Sequence, residues 1–149
     1  MRVVIQRCKY ASCKVDGKIT GEIQKGFLCL VGFCEGDTID EVALLAKKTS
    51  GLRVFEDDAG KMNLSLKDVN GQILAISQFT LYADCKKGNR PSFTTAMNYL
   101  KANDYYDEYC KALEANNIIV HRGVFGADMK IELLNDGPVT IILDSDDLK

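Results

Sequence analysis

With 149 residues, 46% of them hydrophobic, and a mean hydropathy of -0.09, the chain carries enough apolar material for one packed core, and one domain spanning residues 1–149 is expected. Nineteen basic against 21 acidic side chains give a formal charge of -2 and a pI near 5.4, so no global positive field gathers nucleic acid. DNA is therefore not an expected partner, and RNA would have to be met locally. The longest nearly unbroken apolar run, Phe27 to Cys34, falls well short of the roughly 20 residues a bilayer-spanning helix needs. Met1 to Tyr10 alternates polar and apolar residues instead of forming a signal peptide, so the expectation is a cytoplasmic protein without a membrane partner.

Val3 to Lys14 is rich in β-branched and small apolar residues, and Asp16-Gly17 enters positive φ easily, which predicts a hairpin into Lys18 to Ile23. Phe27 to Cys34 shows no alternation, as expected of a central strand covered on both faces. Thr38-Ile39-Asp40-Glu41 reads as a capping box, and Ile39, Val42, Leu45 and Ala46 form one apolar stripe behind it. The helix should end near Ser50, with Gly51 suited to a left-handed cap. Leu52 to Phe55 and Met62 to Leu66 read as strands around an Asp57 to Gly60 turn, and Asn70-Gly71 precedes the apolar run Ile73 to Ile76.

Ala83 to Pro91 is predicted as a loop holding the one compact basic patch, Lys86, Lys87 and Arg90. Tyr106, Tyr109, Cys110 and Leu113 have helical spacing, with Asn103 or Asp104 as N-cap and Asn116-Asn117 as the stop. Strands over Ile118 to Val120, Met129 to Leu133 and Val139 to Leu143 finish the chain, with Asn135-Asp136-Gly137-Pro138 as the last turn. The expected fold class is α/β: a β-rich single domain with mixed sheet layers and two main helices.

Six cysteines occur, at 8, 13, 29, 34, 85 and 110, four of them inside apolar strand-like runs; they read as reduced core residues behaving as small hydrophobes. No phosphate loop, GxSxG elbow, HExxH or CxxC pair is present, so nucleotide hydrolysis, serine-hydrolase and zincin chemistry have no support, and neither a metal nor a cofactor is expected. His121, the only histidine, sits among Ile119, Val120 and Arg122 and reads as a strand residue rather than a base.

Three polar segments interrupt the apolar ones. Ser77-Gln78-Phe79-Thr80-Leu81 gathers hydroxyl, amide and main-chain donors at a strand end, where hydrogen bonding alone would also explain them. Gly88-Asn89-Arg90-Pro91-Ser92-Phe93 is either a solvated loop or a place where the Arg90 fork meets phosphate. Asn135-Asp136-Gly137-Pro138-Val139-Thr140 has the ordinary reading of a hairpin turn.

Together, and in this order, these segments resemble the D-aminoacyl-tRNA deacylase family, with Gln6-Arg7, Lys61-Met62-Asn63 and Gly123-Val124-Phe125-Gly126-Ala127-Asp128-Met129 adding to the likeness. The resemblance runs from Met1 to about Leu143, and both signature elements, SQFTL and the Gly-Pro of NDGPVT, are intact. Cys8 and Cys13 stand where an apolar residue such as Val is expected, Tyr82 stands where a small residue is common, and Asp144 to Lys149 extend past the usual end.

The resemblance implies hydrolysis of the ester joining a D-amino acid to the 3′ end of tRNA. It also implies a homodimer with active sites at the subunit interface: Ser77, Gln78, Phe79 and Thr80 from one subunit, and Gly137-Pro138, with a cis peptide bond, from the other. Such an ester is already activated, and a neighbouring ribose 2′-hydroxyl can assist water, so the protein needs mainly to position it and stabilise the oxyanion. The N–H groups of Phe79 and Thr80 are candidate donors; the Thr80 hydroxyl is either the nucleophile, a weak one without an adjacent base, or, in the favoured reading, the group that orients the ester while the 2′-hydroxyl assists water. The Gly137 and Pro138 carbonyls would hold the ammonium group and leave no room for an L side chain, so glycyl-tRNA is an expected substrate. The competing readings are a non-catalytic RNA-binding module using Lys86, Lys87 and Arg90, and a hydrolase of small D-amino acid esters.

Overall fold

A computed structural model describes all residues 1–149. The elements are β1 (Arg2–Val15), β2 (Lys18–Ile23), β3 (Gly26–Gly32), α1 (Ile39–Gly51), β4 (Phe55–Glu56), β5 (Met62–Leu64), β6 (Gln72–Ser77), a 3-10 turn (Phe79–Tyr82), α2 (Tyr99–Ala115), β7 (Val120–Arg122), β8 (Lys130–Asp144) and α3 (Ser145–Leu148). The main sheet runs β2-β1-β3-β6-β7, with β8 along the other side of β1. It is mixed: β3, β6 and β7 are mutually parallel, while β1 is antiparallel to β2, β3 and β8. The expected class, a β-rich α/β fold with two main helices, is the one found. No helix is long and apolar enough to cross a membrane.

Around Phe27 to Cys29 the sheet is covered on both faces. Phe27, Cys29 and Val31 of β3 face a core shared with α1 and α2, whereas Leu28 joins a smaller core with Cys8, Ala11, Cys13, Ile23, Leu74 and Ile76. The unbroken apolar run is explained by that double burial. β1 serves both cores, changing sides where its register with β8 shifts between Cys8 and Ala11.

The local signals at the first turns hold. Asp16 and Gly17 both have positive φ, at 50° and 78°, as a tight hairpin needs. The Thr38 side chain accepts from Asp40 N, while Glu41 Oε2 accepts from Thr38 N at 2.6 Å, which completes the capping box. At the other end, Gly51 is the last helical residue and not a left-handed cap; α1 closes instead on Leu52 in extended backbone (φ -58°, ψ 133°).

Three further expectations need correction. The second helix begins at Tyr99, because Asn98 rather than Asn103 or Asp104 caps it by accepting from Lys101 N at 3.0 Å. Asn135 to Pro138 is not a hairpin turn: the strands before and after it are one strand, β8, and both halves pair with β1. Between the Cys8–Asn135 and Gln6–Thr140 pairs, Arg7 alone faces Asp136 to Val139, so the segment bulges out without reversing the chain. The cysteines are all free, but only Cys8, Cys13, Cys29 and Cys110 are buried, whereas Cys34 is half-buried and Cys85 exposed. Burial pushes the Cys8 and Cys110 thiols up to about 11.

Candidate active site

β6 pairs with β3 through Ser77 opposite Val31, and Gln78 N then donates to the Val31 carbonyl at 2.7 Å, the last contact before the chain leaves the sheet. The close approach needs Gly32, since a Cβ there would stand 2.9 Å from the Gln78 carbonyl oxygen. The 3-10 turn starts at Phe79 beyond the carboxyl ends of two parallel strands, where open α/β sheets place their ligand crevices. As the first residues of that turn, Phe79 and Thr80 have N–H groups with no backbone acceptor. Gln78 Nε2 donates to Thr80 Oγ1, which fixes the hydroxyl at the surface beside those two donors.

Ser77, Gln78 and Phe79 open onto a cleft of about 620 Å³, the size of a small-molecule pocket, and Thr80 follows them just outside its lining. Ser77, Gln78 and Phe79 form one wall; Phe93, Tyr99, Phe125 and Met129 supply much of the rest. Phe79 packs edge-on against Phe93 at 5.0 Å, and Tyr99 packs edge-on against Phe125 at the same distance. No His, Cys or Lys lines the cleft; its one carboxylate, Asp128, pairs with Lys130 at 3.1 Å in solvent. His121 lies outside it, on β7 opposite Leu74. The cleft therefore presents hydrogen-bond donors and apolar walls but no strong base, which suits a reactive ester more than an amide.

Gly137 and Pro138 lie elsewhere on the chain. Their peptide bond is cis and both residues are exposed. Arg7, 6% exposed, holds their bulge from beneath, donating from Nε to the Asp136 carbonyl at 3.0 Å and from Nη1 to the Val54 carbonyl at 2.7 Å. Gly137 sits opposite Arg7, while Ser77 is level with Val3 through Val31, three strands away. Four residues along the strand and three strand spacings across put the two elements about 20 Å apart within one chain.

Lys86, Lys87 and Arg90 are exposed on a loop whose stem, the Asp84–Ser92 bridge, joins the end of the 3-10 turn to Phe93 at the cleft wall. Arg2 is a contributor the sequence did not single out. It donates from Nη1 to the Leu81 carbonyl at 2.7 Å, from Nε to Asp144 at 2.9 Å, and stacks on Tyr82 at 4.6 Å, bracing the 3-10 turn from behind. Tyr99 was also missed, because it falls in the first turn of a helix expected to start later.

The family model described as D-Tyr-tRNA(Tyr) deacylase matches residues 4–144. The chain belongs to the D-aminoacyl-tRNA deacylase family. Among relatives carrying the name D-aminoacyl-tRNA deacylase, the chain is 57% identical over 147 residues to that of Fusobacterium nucleatum subsp. nucleatum, covering 99% of this chain and 97% of that one. It is 54% identical over 144 residues to that of Lactobacillus delbrueckii subsp. bulgaricus, covering 97% and 99%. The family fold is also seen in a solved structure titled c-Myc DNA Unwinding Element Binding Protein, with a TM-score of 0.90, 38% identity and coverage of 97% of this chain and 98% of that one. A second, titled as a probable eukaryotic D-amino acid tRNA deacylase, has a TM-score of 0.83 at 16% identity, covers 95% and 97%, and speaks to the fold alone.

Proposed function

We propose that this protein hydrolyses the ester of D-aminoacyl-tRNA, releasing the D-amino acid and the tRNA, as a cytoplasmic homodimer with two composite sites. The observation that carries the reading is the cleft itself: an apolar wall without a base that ends at Phe79, with the main-chain donors of Phe79 and Thr80 and the fixed Thr80 hydroxyl at its edge. In it the ester carbonyl lies against the N–H groups of Phe79 and Thr80, which stabilise the oxyanion as water attacks. The ribose 2′-hydroxyl beside the carbonyl helps position and activate that water, and Thr80 orients the ester. The ester C–O bond then breaks, and the 3′ oxygen leaves protonated.

The second half of the site comes from the partner. Within one chain Gly137-Pro138 is too far from Thr80 to share a substrate, yet it is exposed and held rigidly by Arg7. Val4, Leu30 and Ile142 lie side by side on the face of the sheet away from the helices, with Ile142 65% exposed, and form an apolar strip suited to a two-fold contact. Delivered across that contact, the Gly137 and Pro138 carbonyls accept from the substrate ammonium. With ammonium and ester both fixed, an L side chain meets main chain while a D side chain points out, and glycine meets nothing. Lys86, Lys87 and Arg90, next to the cleft, meet the acceptor end of the tRNA. The whole chain, residues 1–149, acts as one domain in this reading.

The test is release of amino acid from charged tRNA by the purified protein. D-tyrosyl-tRNA and glycyl-tRNA should be hydrolysed while L-tyrosyl-tRNA and L-alanyl-tRNA persist. Survival of D-tyrosyl-tRNA would overturn the activity, and glycyl-tRNA as resistant as L-alanyl-tRNA would overturn selection by exclusion. Equal turnover of D-tyrosine methyl ester would favour a small-ester hydrolase instead.

A further inference from the structure

A second cleft, of about 360 Å³, is lined by no hydrophobic residue at all. Its walls are the end of α1 (Lys47, Ser50, Gly51), then Arg53, the Ser65 to Asp68 turn with Lys67, and Asn116 at the end of α2. None of Lys47, Arg53 and Lys67 forms an ion pair. Arg53 is braced by Asn63, donating from Nε to its carbonyl at 2.9 Å and from Nη2 to its side chain, which leaves Nη1 without a protein partner. The single carboxylate, Asp68, accepts from Ser65 N at 2.9 Å and Ser65 Oγ at 3.1 Å.

The charges do not balance. The ends of α1 and α2 bring partial negative charges of about half a unit each, and Asp68 brings one more, so three cations leave a surplus of roughly one positive charge. On a chain of net charge -2 such a surplus, in a polar cleft with Ser and Asn donors around it, matches an anion and not an apolar ligand.

Its position says which anion. Arg53 precedes Val54, whose carbonyl is bound by the same Arg7 guanidinium that holds Asp136 beside Gly137. One guanidinium width and a residue or two of chain separate Arg53 from the Gly-Pro bulge, roughly 10 Å. We infer that the Lys47–Arg53–Lys67 cleft is a phosphodiester-binding site that holds the tRNA backbone close to its esterified 3′ end. The inference rests on the proposed dimer, in which the bulge enters the partner's cleft and carries this patch to the mouth of that site. Each site is then flanked by Lys86, Lys87 and Arg90 of its own chain and by the second cleft of the other.

The experiment compares wild type with the double variant Lys47→Ala/Lys67→Ala, leaving Arg53 because it braces Asn63. Substrates are D-tyrosyl-tRNA and D-tyrosyl-adenosine, which has the same ester but no phosphodiester; an uncharged acceptor-stem RNA hairpin gives a Kd by fluorescence anisotropy. On D-tyrosyl-tRNA the double variant should lose about ten-fold in kcat/KM at low salt, with a salt slope shallower by about 1.4 for two lost contacts to single-stranded phosphates. Its hairpin Kd should rise in parallel, turnover of D-tyrosyl-adenosine should stay at the wild-type value, and Lys47→Arg/Lys67→Arg should restore binding. An unchanged Kd and salt slope would overturn the assignment, as would an equal loss on D-tyrosyl-adenosine. If the wild type hydrolysed neither substrate the catalytic reading would fall, and the hairpin Kd would still decide the cleft.

Discussion

Gly137→Ala and Phe79→Pro strike the proposed site from its two halves, and together they test whether it is built from two chains. At Gly137, φ is 125° and an added Cβ would stand 2.8 Å from Arg7 Nη2 and 2.9 Å from Val139 Cγ2. Arg7 cannot retreat, being buried and bonded to Asp136 and Val54, so the bulge itself must shift, at a conformational cost of about 1–3 kcal/mol. A displacement near 1 Å at a positioning group lowers turnover about 100-fold. Phe79→Pro removes one of the two free donors at a first-turn position that tolerates proline, and losing one such donor costs about 100- to 1000-fold in kcat.

Each variant alone should therefore retain about 1% of activity or less on D-tyrosyl-tRNA. In a heterodimer of the two, one site carries both defects and the other carries neither. Random assortment makes half the dimers mixed, so co-expressed variants should recover about a quarter of wild-type activity. The assay uses two affinity tags, with native mass spectrometry to count heterodimers. Heterodimers that form in the expected proportion yet stay near 1% would mean that each site belongs to a single chain, and the proposed architecture would fail.

Thr80→Ser should keep most of the activity and Thr80→Ala should lose less than a true nucleophile would; a covalent acyl-enzyme trapped on Thr80 would refute the orienting role. Asp37→Asn leaves the buried Met1 ammonium, 2.7 Å from Asp37, without its counter-charge, and should lower stability by about 3–5 kcal/mol in urea unfolding; a change under about 1 kcal/mol would show the pair to be dispensable. Glu41 is held down to about 2 by Lys149 and the Thr38 cap, so it favours the native state above the ordinary value of 4.5 and loses that contribution as pH falls towards 2. Glu41→Gln should flatten the acid limb of the stability curve in that window, and an unchanged limb would count against the linkage.

Local chemistry was legible wherever one short segment decides its own conformation. The Thr38 box, the Asp16-Gly17 turn and the double burial of Phe27 to Gly32 needed no partner to be read. The start of α2 was not, because Asn98, Asn103 and Asp104 are all competent caps, and the Tyr99 and Ala102 contacts that decide between them come from distant parts of the chain. Asn135 to Pro138 has the composition of a hairpin turn, yet whether the chain reverses there depends on β1 being long enough to pair with both flanks. The site showed the same division: Ser77 to Thr80 and Gly137-Pro138 stood out as motifs, whereas Arg2, Tyr99 and the second cleft are assembled only by tertiary packing.

The long pairing of β1 with β8 also sets the order in which the molecule can be made. Arg2 and Asp144 are partners although they stand 142 positions apart in the chain. Closing a flexible loop of that length costs about 4 kcal/mol in chain entropy before any contact returns it. On the ribosome the first strand must wait for nearly the whole chain to be synthesised, with Val3 and Ile5 facing a core still incomplete and one strand edge unpaired. Until its last strand is made, the molecule thus carries an incomplete core and an open strand edge, the two features that make a partly folded chain prone to aggregate.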